Sequence, residues 1–160
     1  MMFAQSAAEL LSPKELARLS GLEFITGIQN GTYPAPPICK TLNFAMEAVE
    51  LGEVTFRGTP NFAAMNPIGT IHGGWFGTLL DSCMACSVQT HLPRGKFYTT
   101  LEFKINILRP LFADSGDVRA IGKAAHVGRS TGIADGRIVG VDDGKLYATG
   151  STTCLIFDAT

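Results

Sequence analysis

The sequence is poor in charged residues, and between Arg57 and Arg94 it contains only one, the carboxylate of Asp81. Charged residues make up 17% of the chain and the net charge is −1, so there is no global basic field for nucleic acid. Any anionic ligand must therefore be held by a local group of Lys and Arg. Desolvating an ionised carboxylate costs several kcal/mol, so a carboxylate kept in an apolar stretch is a candidate for chemistry.

Targeting and cofactor signals are also absent. The first eleven residues contain no basic n-region, and acidic Glu9 and Glu15 lie among or after them, so a signal or transit peptide is not expected. We therefore expect a cytoplasmic protein. The glycines near Gly73 and Gly132 lack the spacing of a P-loop or a dinucleotide fingerprint. We expect neither a metal nor a redox cofactor.

Four cysteines in a chain of this kind do not indicate a disulfide framework. Cys83 and Cys86 form a C-x-x-C pair, which in other settings is redox-active or half of a zinc site. Redox pairs usually lie at a helix N-terminus, and no second Cys or His pair lies nearby. The prediction is that both thiols pack in the core.

One long apolar helix is predicted from His72 to about His91, ended by Pro93 and Gly95. It has no polar stripe, so it must be enclosed by other structure or by a membrane. Asp81 and Gln89 argue against a membrane span, and the strands predicted on either side could wrap the helix.

The rest of the chain is predicted as a helical lead-in and six strands. Ser12, Pro13 and Glu15 form a helix start, and a second short helix ends near Gly31. The remaining predictions are a Pro-rich connector over 33–37 and strands over 38–48, 53–59, 101–107, 117–127, 131–141 and 145–157. Short turns favour antiparallel pairing, so the fold class is α+β, one curled antiparallel sheet around the central helix.

The sequence resembles a known family in the residues around the start of the central helix. Asn66, His72-Gly73-Gly74 and Asp81, in register on this strand pattern, are similar to the hotdog-fold acyl-CoA thioesterases of the phenylacetate-degradation (PaaI-like) branch of the 4-hydroxybenzoyl-CoA thioesterase superfamily. The resemblance covers roughly residues 38–157. It implies a lead-in over 1–37 and a hotdog thioesterase domain over 38–160.

The residues support this chemistry independently. The first N–H groups of a helix have no intrahelical partner, and Gly73 and Gly74 leave that end open to an acyl oxygen. Such a donor suits the oxyanion that develops when a thioester carbonyl is attacked. Asp81 is then general base for water or the nucleophile itself, and the sequence leaves both open.

The resemblance assigns further roles. The position of Asn66 helps hold the thioester carbonyl, that of Gly73 supplies the oxyanion N–H, that of His72 lies near the sulfur, and that of Asp81 activates water. Thr100 matches a hydroxyl that orients the water, with Thr99 as the alternative if the register slips by one. Each role has a structural competitor: Asn66 as a turn residue, His72 as a helix cap, and Asp81 as a local hydrogen-bond acceptor.

The separation of Gly73 and Asp81 along the helix suggests that two chains must assemble to form one site. Gly73 and Asp81 are eight residues apart, about 12 Å along one helix, so they cannot easily act on one carbonyl from the same chain. Two antiparallel copies of the helix across a two-fold axis would bring them together. We therefore expect a homodimer, and a dimer of dimers as the larger assembly.

The expected substrate is an acyl-CoA carrying an aryl, arylacetyl or medium-chain acyl group. Gly74 and Trp75 are candidate substrate contacts, although Trp75 suits the core equally well. Arg129, in the turn Gly128-Arg129-Ser130, is the preferred contact for the CoA phosphates. Two alternative functions remain open at this stage, a hotdog hydratase or dehydratase and a non-catalytic acyl-CoA-binding protein.

Overall fold

The structure of the chain is a computed structural model that describes residues 2–159. In this part of the chain the helices are α1 (Pro13–Leu16), α2 (Gly21–Gln29), α3 (Pro37–Thr41) and α4 (Gly73–Gln89). The strands are β1 (Phe44–Glu50), β2 (Glu53–Gly58), β3 (Lys96–Ile107), β4 (Val118–Val127), β5 (Thr131–Gly140) and β6 (Leu146–Asp158).

The six strands form one antiparallel sheet in the order β1-β2-β4-β5-β6-β3, so β1 and β3 are its two edges. The inner face of the sheet packs on α4, where Leu79, Leu80 and Met84 are fully buried. Two strands, one long buried helix and four further strands were predicted, and this order is confirmed. The architecture is the hotdog fold that the resemblance implied.

The sheet lies unusually close to α4 because glycines face the helix. A Cβ added to Gly122 of β4 would lie 2.2 Å from the carbonyl carbon of Cys83, and one added to Gly136 of β5 would lie 2.7 Å from the Met84 side chain. No side chain fits at such distances, so only glycine allows these strands to approach the helix. The close packing fixes the position of α4 and of every side chain it carries.

Helix α4 was predicted over 72–91, and the structure places it within one or two residues of those bounds. It begins at Gly73 with His72 as N-cap, and it ends at Gln89. Among residues 2–159, no helix is both long enough and apolar enough to span a membrane.

The helical lead-in begins as predicted. The Ser12 side chain accepts a hydrogen bond from the Glu15 amide, and the Glu15 carboxylate accepts one from the Ser12 amide at 2.8 Å, which is a capping box. A second capping box, between Ser20 and Glu23, starts α2 and was not predicted. The division of the chain at residue 37 stays a prediction, but Ile25 and Ile28 of the lead-in belong to the same core as α4.

The predicted strand over 38–48 begins too early, and this prediction is wrong in its first part. Residues Pro37–Thr41 form α3 instead, and β1 begins only at Phe44. Pro37 occupies the first position of the helix, where its fixed φ is favourable and its missing N–H costs nothing. Asn43 then adopts φ 54°, a left-handed conformation that redirects the chain into the strand.

Strand β3 carries a bulge that changes which side chains face the helix. It is longer than the predicted 101–107, and its pairing with β6 shifts by one residue between Thr100 and Glu102. Because of the extra residue, Leu101, both Thr100 and Phe103 point toward α4, which regular alternation would not allow. The Leu101 side chain is 58% exposed.

Candidate active site

Asp81 lies half-buried near the middle of α4 and is held by one neighbour. The Thr100 hydroxyl donates a hydrogen bond of 2.9 Å to Asp81 Oδ1. Within residues 2–159 the carboxylate makes no ion pair. Burial raises the pKa of Asp81, and the Thr100 hydrogen bond opposes that rise. This carboxylate has one oxygen held by a hydrogen bond and, among the described residues, no ion-pair partner, which is compatible with its predicted role as base or nucleophile.

Thr100 was predicted as a site residue with Thr99 as the alternative. Thr99 is exposed on the other face of β3, whereas Thr100 pairs with Cys154 on the inner face. The structure therefore brings Thr100, and not Thr99, to Asp81.

A cavity of about 190 Å³ opens beside Asp81. Asp81, Ser82, Tyr98 and Thr100 form its polar wall, and the rest of its lining is apolar apart from two thiols. A largely apolar pocket with a few convergent polar groups is the usual form of a small-molecule site. An apolar group bound there would lie directly against the carboxylate.

The first two amides of α4 differ in their hydrogen bonding. His72 Nδ1 accepts a hydrogen bond of 2.9 Å from the Gly74 amide, so the structural role predicted as a competitor, helix capping, is present. By contrast, the Gly73 amide donates no hydrogen bond to any residue in 2–159. The Gly73 amide therefore has its hydrogen free for another acceptor, and its oxyanion role stays a prediction. Because Nδ1 accepts, the neutral His72 ring carries its proton on Nε2.

Asn66 is engaged within its own turn. Its side-chain oxygen accepts hydrogen bonds from the amides of Ile68 and Thr70, and its Nδ2 donates one of 2.7 Å to the Thr70 hydroxyl. The competing interpretation as a turn residue thus describes the contacts seen in this chain. One Nδ2 hydrogen remains for another acceptor, so the predicted contact with the thioester carbonyl stays a prediction.

Trp75 packs in the core and does not line the cavity beside Asp81. Its side chain is 2% exposed, and its indole N–H donates a hydrogen bond of 2.8 Å to the Leu42 carbonyl. The predicted substrate contacts of Trp75 and Gly74 stay predictions. The buried position of Trp75 does not support its predicted contact with the substrate.

Arg129, the predicted contact for the CoA phosphates, differs from three other arginines of the chain in its contacts. Arg57 pairs with Asp117, Arg94 pairs with Glu23, and Arg109 donates to the Leu146 carbonyl. Arg129 is exposed and has no ion-pair partner within residues 2–159. It lines a surface cavity of about 250 Å³ together with two other residues that can carry positive charge, His91 and Lys96. Its guanidinium is thus free to meet an anion.

Of the C-x-x-C pair, Cys83 packs in the core, whereas Cys86 is partly buried and lines the cavity beside Asp81. Burial raises the pKa of the Cys86 thiol to about 12, and it raises the pKa of Cys83 as well. Thiols that are not ionised are poor nucleophiles and poor metal ligands. Within residues 2–159 there is also no group of three His, Cys, Asp or Glu side chains arranged to hold a metal ion.

Gly73, Gly77 and Asp81 follow one another at intervals of four, so they share one face of α4. That face is turned toward β3: a Cβ at Gly73 would lie 3.3 Å from the Ile107 side chain, and one at Gly77 would lie 3.3 Å from Phe103. The two ends of this face remain about 12 Å apart along the helix axis.

Two features of the site were missed from the sequence. Tyr98 lies in the cavity wall, and α2 and α3 close the cavity from above. A signal for Tyr98 was present, because it lies two residues before Thr100 and therefore on the same face of the strand. No sequence signal indicated that α2 and α3 would line the cavity. Their contacts depend on how the lead-in folds back onto α4.

Comparison with known proteins relates the chain to a family of thioesterases. The family model of the thioesterase superfamily matches residues 68–147, which include the α4 N-terminus, Asp81 and Thr100. A Pseudomonas aeruginosa protein described as a candidate esterase is 38% identical over 105 residues, 65% of this chain and 70% of the relative.

Solved structures of thioesterases also resemble this chain. A candidate thioesterase related to phenylacetic acid degradation, from Ralstonia eutropha, has a TM-score of 0.74 and 30% identity, covering 82% of this chain and 98% of that one. The PaaI protein of Thermus thermophilus, solved as a mutant, has a TM-score of 0.67 and 26% identity, covering 74% and 97%. A thioesterase family protein from Silicibacter pomeroyi, at 21% identity and a TM-score of 0.73, covers 83% and 98% and shares the fold.

These matches define the class of protein: a hotdog-fold thioester hydrolase. The chain belongs to the thioesterase superfamily, and its resemblance to the PaaI-like proteins is confirmed.

Proposed function

We propose that this thioester hydrolase acts on acyl-CoA, releasing a free acid and the CoA thiol. The observation that carries the proposal is Asp81, a half-buried carboxylate without an ion-pair partner in the described chain, held by Thr100 at the wall of an apolar cavity. Acyl-CoA is supported by the superfamily match and by the PaaI-like relatives. The acyl group is proposed to be aryl, arylacetyl or medium-chain, as the largely apolar lining allows.

Asp81 has two possible ways to start the reaction. As general base it takes a proton from water, and the resulting hydroxide forms a bond to the thioester carbon. As nucleophile it forms that bond itself, and water then hydrolyses the mixed anhydride. In both cases the carbon–sulfur bond breaks and the CoA thiolate leaves. Thr100 serves both routes, because it fixes Oδ1 and leaves Oδ2 for water or for the carbonyl carbon.

The oxyanion is proposed to form on the Gly73 amide of a second copy of the chain. A homodimer is supported by β3, an edge strand with one side unpaired in the described chain, on which Leu101, Phe103 and Ile107 are exposed. Phe103 and Ile107 are the residues that flank Gly77 and Gly73. A second copy seated on this edge would cover the α4 face that bears Gly73 and Asp81, and two-fold symmetry would pair Gly73 of each with Asp81 of the other. A dimer of dimers is proposed as the larger assembly.

His72 and Asn66 are proposed to support the leaving group and the carbonyl. The free Nε2–H of His72 is a donor placed one residue before the oxyanion amide, where it can reach the sulfur as charge develops on it. Asn66 shapes the turn that leads to His72, and its remaining Nδ2 hydrogen is the donor for the carbonyl.

Arg129 is proposed to bind the CoA phosphates. Arg129→Ala should mainly raise KM for a CoA thioester, because a phosphate contact far from the reacting bond contributes equally to the ground state and the transition state. Kinetics with acyl-CoA and with the matching acyl-pantetheine, which lacks the nucleotide, test this expectation. Arg137→Ala on β5 is a control for removal of a surface arginine. An equal loss on both substrates would remove Arg129 from the phosphate site.

The activity itself is tested by following thiol release from a panel of acyl-CoA substrates with a thiol reagent. Release of CoA with formation of the free acid supports the proposal. Hydration of an enoyl-CoA without thiol release would identify a hydratase instead. Binding of acyl-CoA without any turnover would identify a binding protein.

A further inference from the structure

Helix α4 is not enclosed by the sheet alone. The sheet ends at its two edges, β1 and β3, and a strip of α4 bearing Asp81, Ser82 and Ala85 lines a cavity to which β1, β2 and β3 contribute but β4, β5 and β6 do not. The space over this strip is the cavity beside Asp81. Something other than the sheet must close it.

Residues 21–41, here called the cover segment, close that space. The cover segment consists of α2, the Pro-rich connector and α3. It contributes six of the residues that line the cavity, namely Ile25, Ile28, Ala35, Pro36, Ile38 and Cys39. Of these, Ile25, Ile28, Ala35 and Cys39 are buried. The cover segment therefore forms a large part of the wall of the cavity that contains the carboxylate.

The cover segment is fastened at both ends. At its start, the Gly21 amide donates a hydrogen bond of 2.9 Å to the Leu92 carbonyl, and Glu23 pairs with Arg94 at 2.7 Å. Directly after its last residue, the Leu42 carbonyl accepts a hydrogen bond of 2.8 Å from the Trp75 indole N–H. A wall attached in this way has a defined position relative to α4, and it sets the size of the space in front of Asp81.

The size of the cavity limits what it can hold. At about 190 Å³ it is slightly larger than the engineered apolar cavity of about 150 Å³ that takes up benzene. By the same measure it holds one aromatic ring with a short linker, or about six to eight carbons of a straight chain. A longer chain would meet Ile25, Ile28 or the connector.

We infer that the cover segment determines acyl specificity, with Ile28 as the residue that limits acyl size inside the pocket and Ile38 at its rim. This inference rests on the proposed acyl-CoA hydrolysis, and it gives the N-terminal lead-in a role in substrate selection. Ile28 is 6% exposed, as a residue inside the pocket should be. Ile38 is 48% exposed although it lines the same cavity, which places it where the pocket opens.

The test compares Ile28→Ala with Ile138→Ala. Both remove the same three carbons from a buried position, but Ile138 lies in β5 and does not line the cavity. The ratio of kcat/KM for decanoyl-CoA to that for hexanoyl-CoA should rise about tenfold or more in Ile28→Ala, since a single methylene in an apolar pocket is worth ~10- to 200-fold. It should stay unchanged in Ile138→Ala.

Ile38→Ala is a second variant, because an exposed side chain can be removed with little risk to the fold. It should shift the same ratio in the same direction by a smaller factor. Ile133→Ala, at a similar exposure of 42% and outside the cavity, is its control. Equal ratios in all four variants and the wild type would overturn the role of the cover segment, even if the wild type hydrolyses acyl-CoA readily.

A binding series separates this inference from the proposed hydrolysis. S-hexyl-CoA and S-decyl-CoA, thioethers without a carbonyl to attack, are titrated into the wild type and the variants by calorimetry. Tighter binding of the decyl ligand to Ile28→Ala than to the wild type supports the inference, even if no acyl-CoA is hydrolysed. If the wild type and Ile28→Ala discriminate equally between the two ligands, or bind neither, the inference is wrong.

Discussion

Replacing Asp81 with Asn is expected to lower kcat by at least ~100-fold, because the reaction loses its positioned base or nucleophile. The amide has nearly the same shape as the carboxylate and can still accept the Thr100 hydrogen bond. Binding of a CoA thioether should therefore change little. Asp135→Asn is the control, since it makes the same chemical change on an exposed residue of β5.

Asp81→Asn should also differ from the wild type in the pH dependence of its thermal stability. Burial raises the pKa of Asp81 above its ordinary value of 3.8, so the folded protein favours the neutral carboxyl and is destabilised once the group ionises. Asp81→Asn is neutral at every pH. Its Tm should therefore exceed that of the wild type near pH 8, and the difference should shrink as the pH falls toward 4. A folded variant that turns over within a few-fold of the wild type would show that Asp81 is structural.

Replacing Gly73 with Pro should abolish most of the activity, because proline lacks the amide hydrogen that is proposed to bind the oxyanion. Loss of one such donor costs about 10²- to 10³-fold in kcat. Gly73 is the first residue of α4, where proline is well tolerated. His72 has φ −64° and ψ 140°, which is the conformation that a residue before proline prefers.

Gly73→Ala is the matched control for the proline variant. It adds the same Cβ, which would lie 3.3 Å from the mobile end of the Ile107 side chain, but it keeps the amide hydrogen. We expect Gly73→Ala to retain most of its kcat. If Ala and Pro lose the same activity, crowding against Ile107 explains the loss and the Gly73 amide is not the oxyanion donor.

Much of the fold could be predicted from local signals. Turn sequences such as Asp142-Asp143-Gly144 separate the last strands, and the apolar stretch after His72 marks the central helix. The start of β1 could not be predicted in this way. Ile38 and Cys39 look like the beginning of a strand, but Pro37 nucleates a turn of helix there, and the chain reverses only at Asn43.

The candidate site was predicted to a similar extent. Asp81 stands out because no other charge lies near it in sequence. The helix start was predicted at His72 from the apolar stretch that follows, one residue before the observed start at Gly73. The choice between Thr99 and Thr100 required the bulge at Leu101, which no sequence pattern announces. The closure of the cavity by the cover segment is likewise a tertiary feature that local sequence does not show. The hydrogen bonds of Asn66 and His72 within their own turns are local, and they match the competing roles predicted for these residues.

Each active site is proposed to combine Gly73 of one chain with Asp81 of another. This proposal is tested by mixing Gly73→Pro chains with Asp81→Asn chains in equal amounts, unfolding them together and refolding them. Random pairing makes half of the dimers mixed, and each mixed dimer has one site with both groups intact, so roughly a quarter of the wild-type activity should return. If the mixture, with mixed dimers confirmed by mass, stays as inactive as either variant alone, the shared site does not exist.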